Sequence, residues 1–122
     1  MAGSSKRNPI DALLPLPPAM FQMLLALGEG ERHGYALKRE ILHRTAGKVN
    51  LGSGALYGSI NRMLERGMIE ESGERPDPHL DDERRRYYRI TDFGRRVAQA
   101  EARRMRELVE LTEARLGLPE VP

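Results

Sequence analysis

The chain has 122 residues, of which 39% are hydrophobic and 31% charged, with a formal net charge of +2 and no cysteine. That gives room for one domain with one core. It excludes a disulfide framework and thiolate metal sites, and no apolar run approaches the roughly 20 residues that span a bilayer. The start, with Lys6 and Arg7 but no apolar stretch behind them, does not read as a signal peptide, so the expected location is cytoplasmic.

Residues 1–16 are small, polar or proline and read as a flexible arm, with Leu14 and Leu16 able to pack onto the domain. Pro17 and Pro18 suit the first turn of a helix, and the apolar run Ala19–Leu27 is a buried one, ended by Gly28 and Gly30. His33–Thr45 is a second helix, with Tyr35, Leu37, Ile41 and Leu42 on its apolar side and Lys38, Arg39 and Arg44 on other faces; Gly47 stops it. Val49–Leu51 is a short extended connection and a candidate third strand. Gly52–Arg66 is a third helix, with Ser53 as N-cap and Gly67 closing it. Met68–Ser72 and Arg85–Ile90 read as strands around a hairpin tip, residues 73–83, rich in Gly, Pro and Asp. Thr91 caps a long helix from Asp92 to Leu116, which Gly117 and Pro119 end.

The third helix carries the most information. Leu56, Ile60, Met63 and Leu64 share its apolar face. The other face holds Ser53, Gly54, Ala55, Gly58, Asn61 and Arg62, with Tyr57 at its flank. Small residues permit close approach of a large partner, and Asn and Arg suit the edges of adenine and guanine. Gly54 and Gly58 each cost about 1 kcal/mol relative to alanine within a helix, a cost that close approach would explain. Twenty residues on, Arg84, Arg85 and Arg86 precede Tyr87 and Tyr88. Neighbours on a strand point opposite ways, so at most two of these arginines face one groove. A reading helix followed by a basic hairpin predicts a winged helix-turn-helix with double-stranded DNA as its partner. Tyr57 is expected at a phosphate rather than a base, and Lys38, with Arg39 and Arg44, at phosphates also.

Charge distribution agrees with this. Residues 21–67 hold seven Lys/Arg against four Asp/Glu, residues 74–83 are acidic, and residues 91–122 balance at six against six. A mixed solvated surface is the plainer reading of charge alone.

On the last helix Ala98, Ala102, Met105, Val109, Thr112 and Leu116 form one stripe, widened by Val97, Leu108 and Leu111. A three-helix winged domain has no evident surface to cover it, so the expected partner is a second copy. The alternative is folding back onto its own core. Catalysis has no support: His33, His43 and His79 lie apart with no carboxylate in an acid–base or ligand pattern, and no glycine-rich loop follows a strand. No metal site or cofactor is expected. A winged-helix module for protein contact would share the core pattern, but should expose large apolar residues on the reading face. A sensor with a pocket at the dimer interface is compatible with DNA binding; Phe21, Phe93 and Met105 are candidate lining residues.

Three segments resemble the PadR family of bacterial transcriptional regulators: His33-Gly34-Tyr35-Ala36-Leu37; Gly54-Ala55-Leu56-Tyr57 with Ile60, Leu64, Gly67 and Ile69; and Arg85-Arg86-Tyr87-Tyr88-Arg89-Ile90-Thr91 with Gly94. The resemblance spans about residues 19–116 and fits the short subfamily with a single C-terminal helix. It implies a mainly α fold with a small β-wing: a winged helix-turn-helix over residues 17–90, a dimerisation helix over 91–116 and a tail over 117–122. It further implies a homodimer joined through the last helix with help from the first, where Phe21 lies, and a palindromic operator, usually bound as a repressor. Some relatives release DNA on meeting a small-molecule effector. The chain departs from the family where Gly58 stands in place of a frequent Pro, and in its long acidic wing tip. The second departure leaves Arg84–Arg86 as the expected wing contacts.

Overall fold

The computed structural model describes residues 8–76 and 84–120, with backbone alone at positions 76 and 84. Its elements are α1 (Pro18–Gly28), β1 (Arg32–His33), α2 (Gly34–Arg44), α3 (Ser53–Glu65), β2 (Ile69–Pro76), β3 (Arg84–Ile90) and α4 (Asp92–Leu116), preceded by one 3-10 turn over Asp11–Leu13. Four helices and a three-stranded antiparallel sheet make a mainly α winged-helix fold.

The core lies where α1, α2, α3 and the sheet meet. Met20, Met23, Leu24 and Leu27 from α1 pack with Leu37 and Ile41 of α2, Leu56, Ile60 and Met63 of α3, and Met68 and Ile69 at the entry to β2. α1 turns Met20, Met23, Leu24, Ala26 and Leu27 into the core and leaves Leu25 on its outer face. Leu16, in the stretch expected as an arm, is also buried.

Caps set the helix boundaries. His33 precedes α2, and its Nδ1 accepts a hydrogen bond from the Ala36 N–H at 3.1 Å. Gly52, not Ser53, is the N-cap of α3: its extended backbone (φ −72°, ψ 165°) lets its carbonyl accept from the Leu56 N–H. Ser53 is thereby the first helical residue, with its side chain exposed. Gly67, at φ +73°, closes α3 and turns the chain into β2. Thr91 Oγ1 accepts from the Gly94 N–H at 3.0 Å and donates to the Gly67 carbonyl at 2.6 Å, so one hydroxyl joins the start of α4 to the end of α3.

The sheet order is β1-β3-β2. The third strand is Arg32–His33, paired with Tyr88 and Tyr87, rather than Val49–Leu51. The latter segment has no ladder; Leu51 is buried and Val49 packs against the core. β2 runs to Pro76, four residues past its expected end, with a bulge between Glu71 and Gly73. Asp77, His79, Asp81, Asp82 and Glu83 of the expected tip lie outside the described residues.

α4 starts inside the core and then leaves it. Gly94, Val97 and Glu101 are buried, whereas beyond Glu101 every residue of the helix except Arg104 is exposed. Val97, expected to face a partner, is fully buried within this chain because the first half of α4 covers α1. Ala98 packs partly against the same core.

Candidate nucleic-acid interface

The α3 face expected to read DNA is open. Leu56, Ser59, Ile60 and Met63 are buried beneath it, while Ser53, Gly54, Ala55, Tyr57, Asn61 and Arg62 are exposed and Gly58 is half-buried. A Cβ on Gly54 would have nothing within 4 Å, and one on Gly58 would meet only Arg62 Nη2 at 3.9 Å. The helix thus presents bare backbone at both glycines, and the Arg62 guanidinium lies back along the helix beside the second. Apart from Tyr57, no large apolar residue is exposed on α3.

Tyr57 does two things. Its side chain is 46% exposed, yet its ring lies over Gly34, where a Cβ would stand 2.9 Å from the hydroxyl and 3.1 Å from the ring. Glycine at position 34 is what lets the α3 tyrosine seat against the start of α2.

Tyr35 is not part of the α2 core. Leu37 and Ile41 fill that role with zero exposure, while the Tyr35 side chain is 48% exposed. Position 35 falls on the helix flank that turns toward β3. There the Arg39 and Arg85 guanidiniums lie 5.1 and 5.5 Å from its ring centroid, within cation–π range.

Alternation on β3 sends the wing arginines apart. Arg85 Nη1 lies 3.2 Å from His33 Nδ1 and so turns toward α2. Arg86 turns the other way, 3.4 Å from Glu74 and 3.9 Å from Glu71. Of these, Glu74 belongs to the expected acidic tip, whose first residues are part of β2. The Arg84 side chain lies outside the described residues. Tyr87 stacks edge-on against His33 and lies beneath Arg75, whose guanidinium is 4.1 Å from its centroid. Arg75 also pairs with Glu31.

The α2 cations divide as well. Lys38 is half-buried and Arg39 exposed, and neither has an ion pair among the described residues. Arg44, expected at phosphates, is instead tied to α1: it donates to the Gln22 carbonyl at 3.0 Å and to Gln22 Oε1 at 2.7 Å, and pairs with Glu40.

The second half of α4 projects clear of the core. Met105, Leu108, Val109, Leu111, Leu116 and Leu118 are 37–82% exposed, and Ala102 and Thr112 are exposed with them. Leu25 of α1, 44% exposed, lies beside Ala98 at a shallow hollow between α1 and α4. Phe21, one turn before Leu25, is half-buried against the core. Leu25 carries no signal in the sequence because the residues on either side of it, Met23, Leu24, Ala26 and Leu27, are all apolar. Among the described residues no helix is long and apolar enough to cross a membrane.

Residues 23–100 match a family model described as the transcriptional regulator PadR-like family. Solved structures share the fold. A transcriptional regulator from Clostridium thermocellum is 21% identical with a TM-score of 0.67, covering 80% of this chain and 89% of that one. A PadR family transcription regulator from Clostridium difficile is 19% identical, also at 0.67, covering 83% of this chain and all of the other. Bacillus subtilis PadR in complex with operator DNA is 16% identical with a TM-score of 0.57, over 88% of this chain and 52% of that one. No curated protein matches the chain.

Proposed function

Because this chain belongs to the PadR-like family of transcriptional regulators, we propose that it binds a palindromic DNA operator as a homodimer and represses transcription there. The observation that carries this reading is the α3 face: two open glycines beside Asn61 and Arg62, all solvent-accessible and clear of large apolar side chains. Such a surface fits a major groove, about 12 Å wide, lined with hydrogen-bonding base edges. It does not suit a protein-binding groove, which needs apolar anchors. Tyr57 on the flank of α3, Lys38 on α2 and Arg85 on β3 are the candidates for phosphates, and phosphate contacts position a reading helix without specifying sequence. Bacillus subtilis PadR, whose fold this chain shares, is solved with operator DNA.

The dimer reading is supported by α4. Its exposed second half carries five of the nine large hydrophobic residues left exposed on the described surface. A second copy laid against it would pair two recognition helices, as a palindrome read by a two-fold dimer requires. The test is to select bound sequences from random duplex DNA and to sediment the complex. Two inverted half-sites with two chains bound support the proposal; sequence-independent binding, or a single half-site occupied by one chain, contradicts it.

A further inference from the structure

Tyr35 stands on the surface although it is the second residue of a helix whose apolar side is buried. Two guanidiniums from different elements converge on its ring, Arg39 from the next turn of α2 and Arg85 from β3. The negative face of an aromatic ring attracts each of these cations, and His33 Nδ1 lies 3.2 Å from Arg85 Nη1. The spot lies next to Tyr57, since Tyr57 covers Gly34, the residue before Tyr35. α2, α3 and β3 therefore meet there, beside the recognition helix.

We propose that Tyr35 is a positioning residue that holds Arg39 and Arg85 together as one phosphate-binding clamp, joining the wing to α2 at the edge of the groove. The inference rests on the DNA-binding reading and adds a specific role within it. In this arrangement the ring acts through the two arginines and not through its hydroxyl. A backbone phosphate passing the recognition helix meets two cations already held in place, so it orders fewer side chains on binding.

The experiment measures affinity against salt concentration for the duplex that the wild type selects. The variants are Tyr35→Phe, Tyr35→Leu, Arg39→Ala with Arg85→Ala, and the triple variant with Tyr35→Leu, each also melted thermally. Each phosphate contact contributes a slope of roughly −0.9 in log K against log salt. Tyr35→Phe keeps the wild-type slope. Tyr35→Leu flattens it by about 1 to 2 contacts, as the double arginine variant does, with the melting midpoint and the selected motif unchanged. The triple variant is no weaker than the double. Three results would overturn the proposal: a loss in Tyr35→Phe equal to that in Tyr35→Leu, which makes the hydroxyl the contact; further weakening in the triple variant, which makes the ring act by itself; or an unchanged slope in Tyr35→Leu. A wild type that selects no duplex defeats the DNA-binding reading and the clamp together, and is told apart from these by the first measurement.

Discussion

The carboxylate of Glu101, on α4, accepts a hydrogen bond from the backbone N–H of Leu16, 3.0 Å away across 85 residues of chain. It also receives the Arg104 guanidinium, with Nε at 2.5 Å and Nη2 at 3.1 Å. The Glu101 side chain has no exposure, whereas Arg104 is about one third exposed. A leucine or methionine could fill the space without the cost of desolvating a charge. What the carboxylate supplies is register: its acceptor meets the Leu16 N–H at one relative position of α4 and the chain entering α1. The Arg104 bond, then that of Leu16, holds the carboxyl below its ordinary value of 4.5.

Glu101→Ala leaves the Leu16 N–H buried without a partner, at a cost of about 1–3 kcal/mol, while Arg104 can turn to solvent. Glu101→Gln keeps an acceptor for Leu16 and loses less. Because the native carboxyl titrates below its unfolded value, its contribution is complete above about pH 4.5 and is lost as pH falls from there through the lower native value. Denaturant melts at several pH values should show wild type and Glu101→Gln converging as the solution is acidified below that point. A gap that widens in acid would contradict the direction of the shift.

Gly94 stands where α4 passes over the end of α3. A Cβ there would lie 2.0 Å from the Met68 carbonyl oxygen, which accepts from the Thr91 N–H. Backbone cannot yield as a side-chain tip does. Gly94→Ala should destabilise the fold by about 3 kcal/mol, read from the midpoint of urea unfolding, with a lower limit of about 1 kcal/mol before the close approach is called into question.

Gly58→Ala should do the opposite. The added methyl meets nothing nearer than Arg62 Nη2 at 3.9 Å, and alanine favours a helix over glycine by about 1 kcal/mol. The variant should therefore melt higher. If a DNA backbone or base edge needs that open space, affinity for the selected duplex falls in the same variant. A more stable protein with unchanged DNA affinity would show that close approach does not explain this glycine.

How much of this could be read from the residues depends on how local the cause is. α4 was legible to both its ends because Thr91 and Gly117 act on their own neighbours. α3 was legible from its apolar spacing, and the same spacing identified which of its residues are exposed. The third strand was not: Arg32–His33 is two residues long, has no alternation to detect, and exists because β3 passes beside it. Tyr35 and Val97 differ from expectation for a related reason: helical periodicity gives a face but not what covers it. It groups Tyr35 with Leu37 and Ile41, which already fill the core, and it groups Val97 with the exposed stripe of α4 although the core of this chain buries it. Glu101, a carboxylate among charged neighbours on a polar helix, carries no local sign that it is buried.

Leu108→Asp tests the dimer. Leu108 is 49% exposed and beyond the part of α4 that touches the core, so the substitution should leave the melting of the isolated chain nearly unchanged. Burying its charge against a second copy is costly. Sedimentation at micromolar concentration should show monomer, with operator affinity greatly reduced because each half-site alone is held weakly. An intact dimer in both Leu108→Asp and Val109→Asp would move the interface elsewhere.

The orientation of α3 is tested by separating sequence preference from affinity. Asn61 and Arg62 are exposed on the face opposite Leu56 and Ile60, and the Arg62 guanidinium lies beside Gly58. Tyr57 leans away toward Gly34 and α2, which makes it the candidate for a phosphate contact. A good bidentate base contact discriminates by about 1–3 kcal/mol, so Arg62→Ala should relax the preference at one base pair of each half-site. Tyr57→Phe removes a hydroxyl but keeps the ring over Gly34. It should weaken all sequences nearly equally, leave the salt slope unchanged because a neutral hydroxyl neutralises no phosphate, and leave the selected motif intact. The comparison is between motifs selected by wild type and by the two variants. If Arg62→Ala returns the wild-type motif while Tyr57→Phe changes it, the helix enters the groove by its α2 edge, and Tyr57 rather than Arg62 reads the bases.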